Sequence, residues 1–271
     1  MGLFRVSSIL AAFVTIANLR KMKVIPLSEG SFTIDKTKLF VPFNPNADDL
    51  QQRPAGSLLV EVQPFVVTTT EDVLLLDAGL GFTTEEGVLQ IHQNLMDAGI
   101  NPSEVTKVLM THLHKDHAGG VSIEDKVSGK RKLAFPNAKY YFQKKELEFA
   151  FEKGFPSYIT EELECLKDSP QVSLQDGNGV IDGYIKYEVT AAHSPYHQVY
   201  WIVDGGETLF FGGDDAPQLH QMKSRFIAKY DYDGKKCMEL RQEWWDKGQR
   251  EHWKFLFYHD IGTPISTNEG R

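Results

Sequence analysis

Cysteine is nearly absent from this chain of 271 residues: Cys165 and Cys237 are the whole complement. Two cysteines cannot build a disulfide framework, and this pair lacks metal-type spacing, so both read as free thiols that leave the redox compartment open. No block rich in lysine and arginine occurs, and the formal net charge is −8, which argues against nucleic acid as the main partner. The mostly apolar stretch from Val6 to Ala17 is too short to cross a bilayer, so no stable membrane insertion is expected. Internal repeats, low-complexity tracts and clear linkers are also missing. What is present is an ordinary globular balance, 41% hydrophobic and 24% charged, enough to form a core without disulfides or a structural metal. A small, neutral or weakly polar molecule suits this balance as the partner.

The first 22 residues support two readings. Val6, Ile9, Leu10, Phe13, Val14 and Ala17 fall at helical spacing, which gives an amphipathic helix packed on the body or on a neighbouring subunit of a homodimer. One early positive charge, Arg5, followed by apolar residues also resembles an export signal, although Asn18, Leu19, Arg20 and Lys21 make a poor cleavage region. The retained helix is preferred. It divides the chain into a segment over 1–22 and one domain over 23–271, located in the cytoplasm; the signal reading would make the protein exported.

Residues 24–50, with Pro26, Pro42 and Pro45, read as an irregular lead-in holding one short strand. Alternation predicts a strand from Leu58 to Thr69, and a buried strand from Val73 to Leu76 runs into Asp77-Ala78-Gly79. Helical spacing covers Val88 to Ala98 and stops at Gly99. Further strands are expected at Lys107–Thr111, Ala138–Gln143, Ile185–Ala191, Gln198–Val203, Thr208–Phe211 and Phe255–Tyr258, with helices at Lys144–Phe151, Glu161–Lys167 and Cys237–Asp246. Strands and helices intermingle from residue 55 onward, which predicts one layered α/β domain.

Five of the nine histidines stand at strand ends beside acidic residues. The densest signal is Thr111-His112-Leu113-His114-Lys115-Asp116-His117-Ala118-Gly119-Gly120. Residues two apart on an extended segment point the same way, so His112 and His114 can reach one metal ion together. Asp116 and His117 are adjacent and must diverge, which lets a turn aim them at a second ion. Imidazole nitrogen and carboxylate oxygen are natural zinc ligands, at roughly 2.0–2.2 Å. Two ions need more than these four side chains. His193, Asp214 and His259 each follow a later apolar strand and are the candidates to complete the set.

These motifs resemble the metallo-β-lactamase-fold hydrolase superfamily over roughly residues 55–262. The HxHxDH pattern matches His112, His114, Asp116 and His117; the T-x-x-H-[ST]-P-x-H stretch matches Thr190 to His197; the Gly-Asp motif matches Gly213-Asp214; and the last histidine matches His259. The resemblance implies a four-layer αββα sandwich with the site at one edge between two sheets. It implies that His112, His114 and His193 hold one ion, that Asp116, His117 and His259 hold the other, and that Asp214 bridges them, with Asp215 the rival for the bridge. It assigns Asp77 to ordering the histidine loop by hydrogen bonding. Two departures stand out: Ala192 and Tyr196 replace usual glycines, so a bulky ring stands near the ions, and the cysteine ligand of one β-lactamase branch is replaced by Asp214.

The expected function is a hydrolase with two Zn²⁺ or other divalent transition-metal ions, acting on a small ester, lactone or related molecule through a metal-bridging hydroxide. Ions about 3.5–4 Å apart lower the pKa of a shared water to about 7, and Asp116 is the residue expected to hold the nucleophile and pass its proton to the leaving group. Tyr196, Phe40 and Phe43 are the candidates for the substrate wall, with Trp244 and Trp245 as further apolar options. Lactonase or arylesterase activity is the first expectation and phosphotriester hydrolysis the alternative. An iron-dependent redox enzyme on the same fold and a purely structural metal pair are the readings from other classes; seven candidate ligands argue against the last, because a closed structural zinc needs about four.

Overall fold

The computed structural model describes residues 21–125 and 128–266. The segment over 1–20, where the N-terminal helix or export signal was expected, lies outside the described residues. Met22, still within the segment expected to be separate from the domain, is already buried in its core.

Two six-stranded sheets face each other. The first runs in the order Lys23–Pro26, Phe65–Thr68, Val73–Leu76, Lys107–Leu109, Lys139–Gln143, Val172–Gln175; the second in the order Gly179–Ile181, Ile185–Val189, Gln198–Asp204, Glu207–Phe211, Lys254–Leu256, Ile265–Ser266. The side-chain period of two explains the layering. Phe65, Val67, Leu74, Leu76, Leu109 and Tyr141 of the first sheet meet Ile185, Tyr200, Ile202, Leu209, Phe211 and Leu256 of the second. Their neighbours Val66, Leu75, Val108, Tyr140 and Phe142 point the other way, onto the helices Gln90–Asp97 and Lys144–Lys153. On the far face of the second sheet, Val199, Trp201, Phe210 and Phe255 pack on the helix Gly234–Glu251 through Trp244. Three apolar layers between four structural layers make an αββα sandwich. Each large side chain buried in this way contributes roughly 1.5–3 kcal/mol before conformational entropy is set against it.

The predicted elements recur with instructive changes. The expected strand over 58–69 is two strands, Leu58–Val62 and Phe65–Thr68, in different sheets. Pro64 stands between them and cannot donate to a ladder, so the chain leaves a small three-stranded sheet and enters the large one at that point. The lead-in holds three strands rather than one: Lys23–Pro26, Gly30–Ile34 and Val41–Pro42. The strand Val172–Gln175 and the hairpin Ser122–Glu124 with Arg131–Leu133 gave no clear alternation and were not anticipated. The last helix is longer than its apolar spacing suggested at both ends; at its start Asp233 caps it, its side chain accepting from Lys236 N. Among the described residues, no helix is long and apolar enough to cross a membrane.

Strand direction positions the site. Val73–Leu76, Lys107–Leu109 and Lys139–Gln143 are parallel, and so are Glu207–Phe211 and Lys254–Leu256. Asp77, the histidine loop, Asp214 and His259 therefore all emerge from carboxyl ends of strands. The two sheets are tied at this edge by Gln198 N donating to Thr111 O at 2.9 Å.

A candidate dinuclear metal centre

The histidine loop is held by the turn that follows Val73–Leu76. Asp77 takes the left-handed backbone conformation, with φ at 54°, and its buried carboxylate turns toward the loop. Oδ1 accepts from Thr111 N at 2.7 Å; Oδ2 accepts from Thr111 Oγ1 at 2.8 Å and from His117 Nδ1 at 2.8 Å. Ala78 N donates to His117 O at 2.6 Å and Gly119 N to Gly79 O at 2.9 Å. This approach is so close that a Cβ on Gly120 would stand 2.1 Å from Ala78 O, which is why only glycine fits there.

Seven side chains converge in two groups. His112, His114, His193 and Asp214 form one and Asp116, His117 and His259 the other, with the donor atoms of each group within 4.8 Å of one another. Asp214 faces both. Its Oδ2 is 3.2 Å from His193 Nε2 and 3.9 Å from His112 Nε2, whereas its Oδ1 is 3.1 Å from His117 Nε2 and 3.0 Å from His259 Nε2. Asp215 turns the other way: its Oδ1 accepts from His193 N at 2.7 Å and its Oδ2 is 2.9 Å from His197 Nδ1. The geometry thus gives the facing position to Asp214 and leaves Asp215 to hold the backbone of the next loop.

The hydrogen-bond partners behind the imidazoles imply which nitrogens carry protons. Nδ1–H of His112 meets Thr111 Oγ1 at 3.0 Å, that of His117 meets Asp77, that of His193 meets Asp231 Oδ1 at 2.9 Å, and that of His259 meets the Glu61 carbonyl at 2.6 Å. The Nε2 lone pairs of all four then point inward. His114 enters with Nδ1, 2.9 Å from His112 Nε2 and 3.2 Å from His193 Nε2. His117 Nε2 and Asp214 Oδ1 are buried without a hydrogen-bond partner although they approach each other. Unprotonated donors about 3.3 Å apart are what tetrahedral ligation at about 2.0–2.1 Å requires. The residues fit a divalent metal ion, and this arrangement is a divalent-metal site.

The electrostatics of the metal-free site divide these imidazoles into two kinds. Burial, reinforced by neighbouring imidazoles, holds His112 and His114 well below the usual histidine range. Burial also opposes charge on His193, but Asp214 and Asp231 outweigh it and push the imidazole up to about 9. His117 and His259 are raised in the same way, chiefly by Asp214, against the effect of burial. Asp214 is held well below the carboxylate range by His117, His259 and His193, although its burial works in the opposite direction. Without a cation, buried carboxylates retain protons on the neighbouring imidazoles, and a metal ion takes over that charge balance when protons leave.

The surroundings hold residues that spacing did not reveal. Glu146, fully buried, accepts from Leu113 N at 3.0 Å, Tyr158 OH at 3.3 Å and Ser194 Oγ at 3.3 Å, so it joins the histidine loop to the loop of His193. The ring of Tyr158 lies 4.8 Å from that of His114. Asp231 and Tyr230 come from a segment with no recognisable pattern. Of the candidates for the substrate wall, Tyr196 packs its ring on Phe149 at 5.9 Å. Phe40 lies under the Lys115 ammonium, next to the metal-site loop. Phe43 lines an open groove of about 590 Å³ with Phe32, Phe82, Glu29 and Glu61; this groove adjoins His259, because Glu61 is the residue whose carbonyl His259 bonds. Of the residues raised as further apolar wall, Trp244 belongs instead to the core under the last helix, where it meets Phe210 at 4.9 Å, and Trp245 is half-buried at that core's edge, meeting Phe255 at 5.2 Å.

The family model of the metallo-beta-lactamase superfamily matches residues 60–244. The chain belongs to the metallo-beta-lactamase superfamily. The match contains every clustered side chain except His259, which lies past its end and is brought in by the fold. Among curated proteins, the N-acyl homoserine lactonase AttM of Agrobacterium fabrum is 30% identical over 117 residues, covering 38% of this chain and 38% of the lactonase. The chain thus spans well under half the length of the curated relatives it matches. Solved structures resemble the whole fold. A probable metal-dependent hydrolase from Staphylococcus aureus is similar at a TM-score of 0.71 with 20% identity, covering 92% of this chain and 98% of its own. The dizinc quorum-quenching lactonase AidC, in complex with a product, is similar at 0.68 with 20% identity, covering 93% and 92%.

Proposed function

We propose that this chain is a dinuclear zinc-dependent hydrolase that opens lactones or small esters. The observation that carries the reading is the division of the Asp214 carboxylate between two groups of imidazoles, with Oδ1 serving one and Oδ2 the other. His112, His114 and His193 would hold the first ion and Asp116, His117 and His259 the second, with Asp214 as the carboxylate shared between them. The superfamily membership and the lactonase relatives support the choice of reaction and of substrate class.

Bound divalent ions supply Lewis acidity and a water of lowered pKa. The protein does the rest. Asp77 keeps His117 in one tautomer, with Nε2 free to ligate. The Asp116 carboxylate, with Oδ2 3.5 Å from His259 Nε2 and 3.7 Å from His117 Nε2, stands at the edge of the centre. It accepts a proton from the attacking water on a carboxylate oxygen and passes it to the ring or ester oxygen as the carbonyl carbon–oxygen bond breaks, so a lactone plus water yields a hydroxy acid. The groove lined by Phe32, Phe43 and Phe82 receives the apolar part of the substrate.

The test is metal analysis with a substrate panel of N-acyl homoserine lactones, simple lactones, aryl esters and phosphotriesters. Two zinc ions per chain and the highest kcat/KM on a lactone or ester are expected. Chelation should abolish the activity and zinc restore it, and His114→Ala and Asp116→Ala should lose nearly all of it. Full activity after thorough demetallation would overturn the mechanism, a phosphotriester as preferred substrate would overturn the substrate class, and bound iron with a visible spectrum would overturn the choice of metal.

A further inference from the structure

We infer that Asp231 is a positioning residue for the first metal ion, the counterpart of Asp77 at the second. The inference rests on the proposed metal reading. In each of the two groups one imidazole is backed by a buried carboxylate: His117 by Asp77 at 2.8 Å and His193 by Asp231 at 2.9 Å. The other histidines with a partner behind the ring use a hydroxyl or a carbonyl. The Asp231 side chain is 1% exposed, and its Oδ2 is buried without a hydrogen-bond partner. Burying a carboxylate is costly unless a charged or strongly polarised donor meets it. Here that donor is His193 Nδ1–H, which a cation held by the opposite nitrogen would make a stronger donor. The carboxylate in turn makes the imidazole a better ligand.

The backbone around Asp231 is built to hold this contact. Tyr232 N donates to His193 O at 3.1 Å and Asp233 N to Ala192 O at 2.8 Å, so the residues just after Asp231 are laced to the backbone of the His193 loop. Asp233 then caps the helix Gly234–Glu251, which anchors the segment to the core. Tyr230 sets its ring 6.2 Å from that of His193. The position of Asp231 is therefore fixed by its own neighbours.

The test compares wild type, Asp231→Asn and Asp231→Ala by zinc competition against a chromophoric chelator, with the thermal midpoint of each metal-free protein as the measure of folding. Asparagine keeps the shape and a neutral acceptor; alanine removes the acceptor. One of the two zinc affinities should fall by about 10-fold for asparagine and about 100-fold for alanine, with the other within about 2-fold of wild type. The ligand-field bands of the cobalt-loaded protein should shift for one site only. Unchanged affinities in the asparagine variant with an unchanged cobalt spectrum would overturn the inference, as would equal loss at both sites in step with the metal-free midpoint. If wild type binds no zinc, the proposed function fails first.

Discussion

The ring of Tyr258 stacks on the imidazole of His117, with centroids 4.0 Å apart and planes inclined by 19°. The same tyrosine donates its buried hydroxyl to Asp116 O at 2.6 Å. One side chain thus supports two neighbouring residues of the proposed second metal site. In Tyr258→Phe the stacking remains and the Asp116 carbonyl loses its partner. Stability should drop by about 1–3 kcal/mol, the usual cost of an unsatisfied buried group. Chemical denaturation measures this, and kcat should fall more than KM changes, because Asp116 is displaced and the substrate groove is not.

Asp77 bears more. Its carboxylate accepts from Thr111 N, Thr111 Oγ1 and His117 Nδ1 while fully buried. Asp77→Ala strands all three donors, and the expected loss is about 3–5 kcal/mol, as for breaking a buried charged pair. A guanidinium titration of the metal-free protein checks it. A loss under about 1 kcal/mol would mean that the histidine loop is held by its backbone contacts alone.

Gly213 and Gly177 separate close approach from backbone strain. Both have positive φ, 50° and 84°. A Cβ on Gly213 would stand 2.7 Å from Thr111 Oγ1, whereas one on Gly177 meets nothing within 4 Å. Gly177→Ala should therefore cost only about 1 kcal/mol of strain. Gly213→Ala should cost about 1–3 kcal/mol more, because the turn before Asp214 must move away from Thr111. Paired thermal melts read the difference, and metal content should fall only in the second variant.

Glu29 gives the metal-free protein a pH dependence of its own. Burial, helped by the nearby Asp116 charge and opposed by the hydrogen bond from Leu80 N, pushes its carboxyl up from 4.5 to about 7. An acid whose folded pKa is raised favours the protonated native state. Its contribution is intact below about 4.5 and is lost as the pH rises to about 7. Glu29→Gln, isosteric with the protonated form, should match wild type at pH 4 and be more stable by about 2–3 kcal/mol at pH 8. Denaturant midpoints at the two pH values test this; equal differences at both would overturn it.

The sequence by itself was enough to single out the histidine loop and the later ligand candidates, because these features are local, whereas the role of Asp77 came only from the family resemblance. Two-residue spacing on an extended segment sets direction, and an apolar run that ends in a polar residue marks the edge of a sheet. Other features depended on the path of the chain. The turn through Gly212 and Gly213 decides that Asp214 rather than Asp215 faces the imidazoles, and neighbouring aspartates look alike in one dimension. Pro64 moves the chain from one sheet to another where alternation reads straight through. Trp244 and Trp245 have the composition of a pocket wall, but the last helix buries Trp244 in the core and packs the half-buried Trp245 against that core's edge. Asp231 comes from a segment with no periodicity, and only the lacing of that segment to Ala192 and His193 brings its carboxylate to an imidazole 38 residues away. Local spacing fixes which way a side chain leaves its own strand; which partner waits there depends on contacts between distant segments.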